Sequence, residues 1–280
     1  MSLEDDFCDI IKKARIGQGL SVGDVAQMAG VPSGDITAFE RGVCAPDRNE
    51  VQVLAKVLGL RPGPLEQIAI EKWEPVSQPP TAWVERIQGS INGYGVQGYV
   101  VHDGGEAVLI DTAYNAPAMI EFLSGRQLRL MGICLTHGHA DHADGIDQIL
   151  NFCQAPVYLG TEDVDLLGWR PPAAQMKAPA QDQTIVVGRL RVQCMATPGH
   201  TPGGICYRMD AESQRACFVG DTLFAGSIGR SNPSTLYQAH LGSVRTRVLE
   251  LSPEYQLLPG HGPATTVREE LEHNPFVSIR

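Results

Sequence analysis

No apolar run in this chain approaches the roughly 18 residues that a bilayer span needs, so a membrane protein is not expected. None of its seven cysteines stand at C-x-x-C spacing, and several lie inside strand-like apolar runs. That pattern argues against a disulfide framework and for buried, reduced thiols in a cytoplasmic protein. Positive charge is scarce. The net charge is −10, which excludes a general nucleic-acid coat or a membrane-surface protein. The start, Met1 to Asp6, is acidic with no apolar stretch behind it, so no secretory signal is expected. Internal repeats, low-complexity tracts and a strand-to-helix nucleophile elbow are missing too.

What is present is a core and a cluster of ligands. The chain has 280 residues, 43% of them hydrophobic, enough for one large domain or two unequal ones. Thr136-His137-Gly138-His139-Ala140-Asp141-His142 packs three histidines and an aspartate into six residues. An apolar run, Leu130 to Leu135, precedes it, and Ala143 to Phe152 follows with helical spacing. The motif therefore falls on a strand-to-helix loop, where α/β proteins place their chemistry. His137 and His139, two apart on extended backbone, can point the same way, while Asp141 and His142 lie past the bend. Imidazole and carboxylate suit a borderline cation such as zinc.

Residues 1–72 read as short helices with tight breaks. Ser21, with Asp24 three residues on, forms a capping box for a helix through Met28. Pro32 and Ser33 open a helix through Arg41, Asp47 caps a fourth, and Pro62 to Lys72 offers a fifth. The run Leu20-Ser21-Val22-Gly23-Asp24-Val25-Ala26, then Gly30-Val31, Ile36, Phe39-Glu40-Arg41-Gly42 and Leu54 to Leu60, resembles the phage-repressor and Cro family of helix-turn-helix domains. The resemblance implies that Ser33 to Arg41 would enter a DNA major groove. Residues 20–42 are thus a candidate DNA-binding segment, in a homodimer if the family pattern holds. Which side chains would read DNA is open. Eight Lys/Arg against eleven Asp/Glu in residues 1–72 weaken that expectation. Local cations at Lys12, Lys13, Arg15 and Arg41 would have to carry it, and the alternative is a docking or dimerisation module.

Trp73 to Pro80 is Pro-rich and reads as a linker. Beyond it, residues 81–280 alternate hairpins, strands and helices, twice over, which suggests two sheets with helices outside. Further ligand candidates stand where apolar strands stop, each beside glycine: His200 in Thr197-Pro198-Gly199-His200, Asp221 in Gly220-Asp221-Thr222, and His261 in Pro259-Gly260-His261-Gly262. Five of the eight histidines lie in such loops.

Together these motifs, in this order, resemble the metallo-β-lactamase superfamily over about residues 81 to 275. The resemblance implies an α+β fold, an αββα sandwich with metals at one sheet edge, here preceded by a small all-α helix-turn-helix domain. It implies two divalent metal ions, zinc before iron or manganese. His137, His139 and His200 would hold the first, and Asp141, His142 and His261 the second. Asp221 would bridge them, and Asp111 would orient a ligand imidazole. His102, His240 and His273 match no ligand of the family.

Two cations about 3.5–4 Å apart can share a hydroxide and stabilise attacking and leaving oxygens. Asp141 would also hold that hydroxide by a hydrogen bond, as the catalytic carboxylate. Gly220 to Phe224 and Ser227 to Ser231 resemble the glyoxalase II branch, which implies hydrolysis of a small thioester or ester. The tail after His261 is expected to be too short for that enzyme's glutathione-gripping helical domain, so S-lactoylglutathione itself is not the expected substrate. Asp221 stands where well-known β-lactamases carry cysteine, and the stretch from His142 to His200 leaves no room for a nuclease's inserted domain. Two alternatives stay open. One is a persulfide dioxygenase with one iron on His137, His200 and Asp221. The other is a metal- or ligand-sensing regulator with little turnover.

Overall fold

The computed structural model of the protein describes residues 2–79, 81–211 and 214–277. Met1, Pro80 and residues 212–213 and 278–280, which fall in the expected N-terminal domain, linker and C-terminal domain, lie outside the described residues.

Capping chemistry sets three of the first five helices. Asp6 closes α1 (Phe7–Gly17), Ser21 closes α2 (Val22–Ala29), and Asp47 closes α4 (Arg48–Val57), each by a reciprocal capping box. α3 (Ser33–Glu40) begins after Pro32, and α5 (Pro62–Glu66) continues into a widened turn over Gln67–Glu71. Between α2 and α3 the chain turns at Gly30, in the left-handed region at φ 67°. Phe7, Ile10, Ile36, Leu54 and Leu65 fill the space between these helices.

Two six-stranded sheets follow. The first runs in chain order from β1 (Val84–Ile91), β2 (Tyr94–Asp103) and β3 (Glu106–Ile110) to β4 (Arg129–Cys134), β5 (Val157–Tyr158) and β6 (Met176–Lys177). The second comprises β7 (Thr184–Val187), β8 (Leu190–Ala196), β9 (Ile205–Asp210), β10 (Arg215–Gly220), β11 (Gln256–Pro259) and β12 (Thr265–Thr266), also in chain order across the sheet. β3 to β6 pair in parallel, as do β10 and β11. β6 and β12 have two residues each, too few for a periodic signal, and no strand is expected there from sequence.

Period-2 alternation decides which side chain meets which layer. Tyr99, Val101, Val108, Ile110, Tyr207 and Phe218 fill the space between the sheets. Val100, Leu109 and Ile133 point the other way, onto α6 (Ala116–Gly125) and the helices after β4. Cys217, Val219 and Leu257 leave the outer face of the second sheet and meet α9 (Tyr237–Ser243), the widened turn Val244–Val248 and α10 (Val267–His273). The result is helix, sheet, sheet, helix, as expected.

Two expected helices are broken. The Ala143 to Phe152 helix is instead a single turn, α7 (Ala140–Ala143), and a separate α8 (Ile146–Phe152). Gly145 sits between them at φ 92°. Its backbone lies so close to Ala116 that an added Cβ would come within 2.8 Å. The sequence also predicts a longer helix over Leu236 to Leu251, and that helix stays regular only through α9.

The N-terminal helices are not loosely tethered. Their core is one continuous cluster with the outer face of the second sheet, through Leu65, Ile68, Tyr237, Val267 and Phe276. Arg61 N–H donates to Pro275 O at 2.8 Å, and the Arg61 guanidinium donates to Leu271 O at 2.7 Å. The expected linker is tied down as well. Trp73 stacks on His273 with ring centroids 4.8 Å apart, and Val76 N–H donates to Glu269 at 2.6 Å. Among the described residues no helix is long and apolar enough to cross a membrane.

Candidate metal centre

β8, β10 and β11 run in one direction, so their C-terminal ends share an edge with the ends of β3 and β4. Every candidate ligand leaves one of these ends. His137, His139 and His200 converge, with ligand atoms within 4.8 Å of one another. His142, Asp221 and His261 form a second such group, and His137, Asp141 and His142 a third. Asp141 Oδ2 lies 3.2 Å from His261 Nε2 and 3.6 Å from His142 Nε2. Asp221 stands between the two sets. Its Oδ1 is 3.3 Å from His142 Nε2, and its Oδ2 is 3.6 Å from His200 Nε2.

The outer nitrogens of three imidazoles are already engaged. His142 Nδ1 donates to Asp111 at 2.8 Å, His261 Nδ1 to Gly95 O at 2.6 Å, and His200 Nδ1 to Arg230 O at 2.7 Å. Each therefore turns a bare Nε2 lone pair inward when neutral. His142 Nε2 and His261 Nε2 then face each other at 3.3 Å with no proton between them. Among the described residues, His137 Nε2 and Asp221 Oδ1 are buried without a hydrogen-bond partner. Lone pairs pointing at lone pairs, plus an orphaned carboxylate oxygen, fit a cation and little else.

The electrostatics agree. Burial pushes His137 well below the usual imidazole range, and it lowers His200 to about 4. Both are thus neutral, as metal ligands must be. Burial opposes charge on Asp221 too, yet His142 and His261 hold it well below the usual carboxylate range. Burial likewise opposes charge on His261, but Asp221 and Asp141 outweigh it and raise it to about 9. Bare, the pocket would recruit protons to offset its carboxylates, and a cation would displace them.

Asp111 begins the sharp turn after β3 at φ 57°, a conformation aspartate tolerates better than most residues. Its carboxylate accepts from Thr136 N–H at 2.7 Å, Thr136 Oγ1 at 2.8 Å and His142 Nδ1, so it orients one ligand and the loop carrying two others. Of the remaining histidines, His102 lies by the Phe122 ring and His273 by Trp73. His240 is fully buried between Thr222 O and Ser231 Oγ.

Sequence reasoning missed Asp163. It is fully buried after β5 and accepts from Gly138 N–H at 3.2 Å, Thr201 Oγ1 at 2.6 Å and Gly203 N–H at 2.7 Å. One carboxylate thus ties the loop of His137 and His139 to the loop of His200. Only its position past a strand end could have flagged it. Also missed is a contact from the N-terminal segment. Asp5 is buried, accepts from Ser227 Oγ at 2.6 Å and pairs with Lys13 at 2.5 Å. Lys13 also donates to Ile228 O at 2.9 Å.

The family model of the metallo-beta-lactamase superfamily matches residues 91–261, and the chain belongs to that superfamily. The probable polyketide biosynthesis zinc-dependent hydrolase PksB of Bacillus subtilis (strain 168) is 27% identical over 203 residues, covering 70% of this chain and 88% of its own. The hydroxyacylglutathione hydrolase GloC of Haemophilus influenzae is 29% identical over 193 residues, covering 64% of this chain and 90% of its own. The crystal structure of BLEG-1 B3 metallo-beta-lactamase superposes with a TM-score of 0.62 at 28% identity, over 70% of this chain and 100% of that one. These relatives support a metal-dependent hydrolase.

Proposed function

We propose that this protein hydrolyses a thioester or related ester at a two-metal centre, with zinc as the resident ion. The observation that carries the reading is the inward-facing donor set. His137, His139 and His200 form one group, and Asp141, His142 and His261 the other, with Asp221 shared. A divalent pair bound there would bring coordinated water to a pKa of about 7 and polarise a carbonyl.

The protein's residues do the rest. Asp141 is the most accessible of the carboxylates, its side chain 24% exposed against 11% for Asp221. It is placed to accept a hydrogen bond from the attacking water and aim it. Asp111 keeps the His142 proton on Nδ1, and Arg230 O does the same for His200, so both present Nε2. The name of GloC supports a thioester substrate, and that of PksB supports zinc.

For residues 20–42 we propose a helix-turn-helix used for docking. Half of the expected cationic patch is spent within the fold. Arg15 is clamped by Glu40 through two hydrogen bonds at 2.5 and 2.7 Å, and Lys13 pairs with Asp5. A salt-sensitive, sequence-selective mobility shift with genomic fragments would restore a DNA role.

Elemental analysis of protein purified without added metal tests the main reading. Two zincs per chain are expected, and His139→Ala should lose metal and hydrolysis together. One iron per chain, with oxygen uptake on glutathione persulfide, would replace hydrolysis with dioxygenation.

A further inference from the structure

A cavity of about 380 Å³ lies between α1 and the Ile228–Ser231 loop. Three cations, Lys12, Lys13 and Arg230, line it against a single carboxylate, Asp9. This is a local excess of positive charge in a chain of net charge −10. Asp9 is occupied at the start of α1, where it accepts from Asp6 N–H and Cys8 Sγ. Lys13 is occupied by Asp5 and Ile228 O. Among the described residues, the Lys12 ammonium and the Arg230 guanidinium have no ion-pair partner. Ile16 and Tyr237 give the cavity an apolar side. The loop that forms its wall also holds the metal centre, because Arg230 O accepts from His200 Nδ1.

We propose that this cavity binds the phosphate-bearing end of the substrate's leaving-group arm, with Lys12 of α1 supplying a contact from outside the catalytic sandwich. The proposal rests on the hydrolase reading and narrows it to thioesters of a phosphorylated carrier thiol. Phosphate is favoured over a lone carboxylate because it offers several acceptors and about two charges to plural cations, and Arg230 can fork onto two of its oxygens. The apolar side suits the methylene-rich part of such an arm. The N-terminal helices would then be part of the substrate site.

The test uses the full-length, zinc-loaded protein and coenzyme A, a thiol whose far end carries phosphates. Calorimetric titration should show binding that weakens as salt is raised. Lys12→Glu should weaken it at least tenfold, and Lys12→Arg should restore it. Lys12 is exposed, and matching melting curves would show that both variants fold. The ratio of kcat/KM on acetyl-coenzyme A to that on neutral S-acetyl-N-acetylcysteamine should fall at least tenfold in Lys12→Glu. No binding, or binding and a ratio indifferent to Lys12, overturns the proposal. Inorganic phosphate binding as tightly as coenzyme A, with the ratio unchanged, overturns it in favour of a free-anion site. Lys12-dependent binding of coenzyme A without cleavage of either thioester would sink the hydrolase reading and leave the cavity assignment standing.

Discussion

A methyl group at position 260 would lie 2.3 Å from His142 Cε1 and 2.6 Å from Asp221 Oδ1. Gly260→Ala must therefore push two ligands apart while leaving β11 intact. Zinc affinity should drop roughly 10–100-fold, the range seen when a ligand's support is disturbed, as read by competition with a chelating dye. Asp163→Asn makes a different test. An amide in that place points a donor at one of the three donors now served, leaving a buried group unpaired at a cost of about 1–3 kcal/mol. Stability should fall by that amount in urea titration. Unchanged metal affinity would show that the tie between the two loops is structural only. The ligands themselves were legible because histidine and aspartate at strand ends beside glycine form a rare pattern. Asp163 was not legible, since whether an aspartate is buried is decided by loops that meet only in the fold.

Helix starts read well because caps are local: Ser21 with Asp24 and Asp47 with Glu50 need only four residues to be recognised. The break between α7 and α8 did not, because Ala116, which demands the close approach, is distant in sequence. α10 hides a third case. Glu270 is fully buried and accepts from Gly226 N–H, Thr265 Oγ1 and Asn274 Nδ2, holding the turn after Phe224. Burial outweighs those donors and raises its pKa from 4.5 to about 7. The folded chain therefore keeps a proton that the unfolded chain loses between those two values. Stability from this group is full below pH 4.5 and declines as pH rises towards 7, by about 3 kcal/mol at 1.4 kcal/mol per unit. Glu270→Gln should remove that decline. The stability difference between the two proteins, measured by denaturant titration at pH 4.5 and pH 7.5, should shift by that amount in favour of the variant at the higher pH. A constant difference would mean that Glu270 is ionised throughout.

Two architectures side by side were legible in the chain, one with helical and one with alternating periodicity. Their fusion was not, because the residues that join them read locally as ordinary core. Leu65 and Ile68 look like helix interior and Val267 and Phe276 like C-terminal packing, yet all belong to one cluster. The Asp5–Lys13 pair carries that join to the loop beside His200. If the centre and the helices form one cooperative unit, an ion that binds only the folded state stabilises both. At a hundredfold excess over its dissociation constant that amounts to about 2.7 kcal/mol, or roughly 5–10 °C in melting temperature for a chain of this size. Chelation should therefore lower the midpoint of the far-UV helical signal and of tryptophan fluorescence by the same amount, with Trp73 reporting from the junction and Trp83 from the edge of the core between the sheets. A helical transition that ignores the chelator while the fluorescence midpoint moves would show that the N-terminal helices melt on their own, and that their shared core transmits nothing from the metal centre.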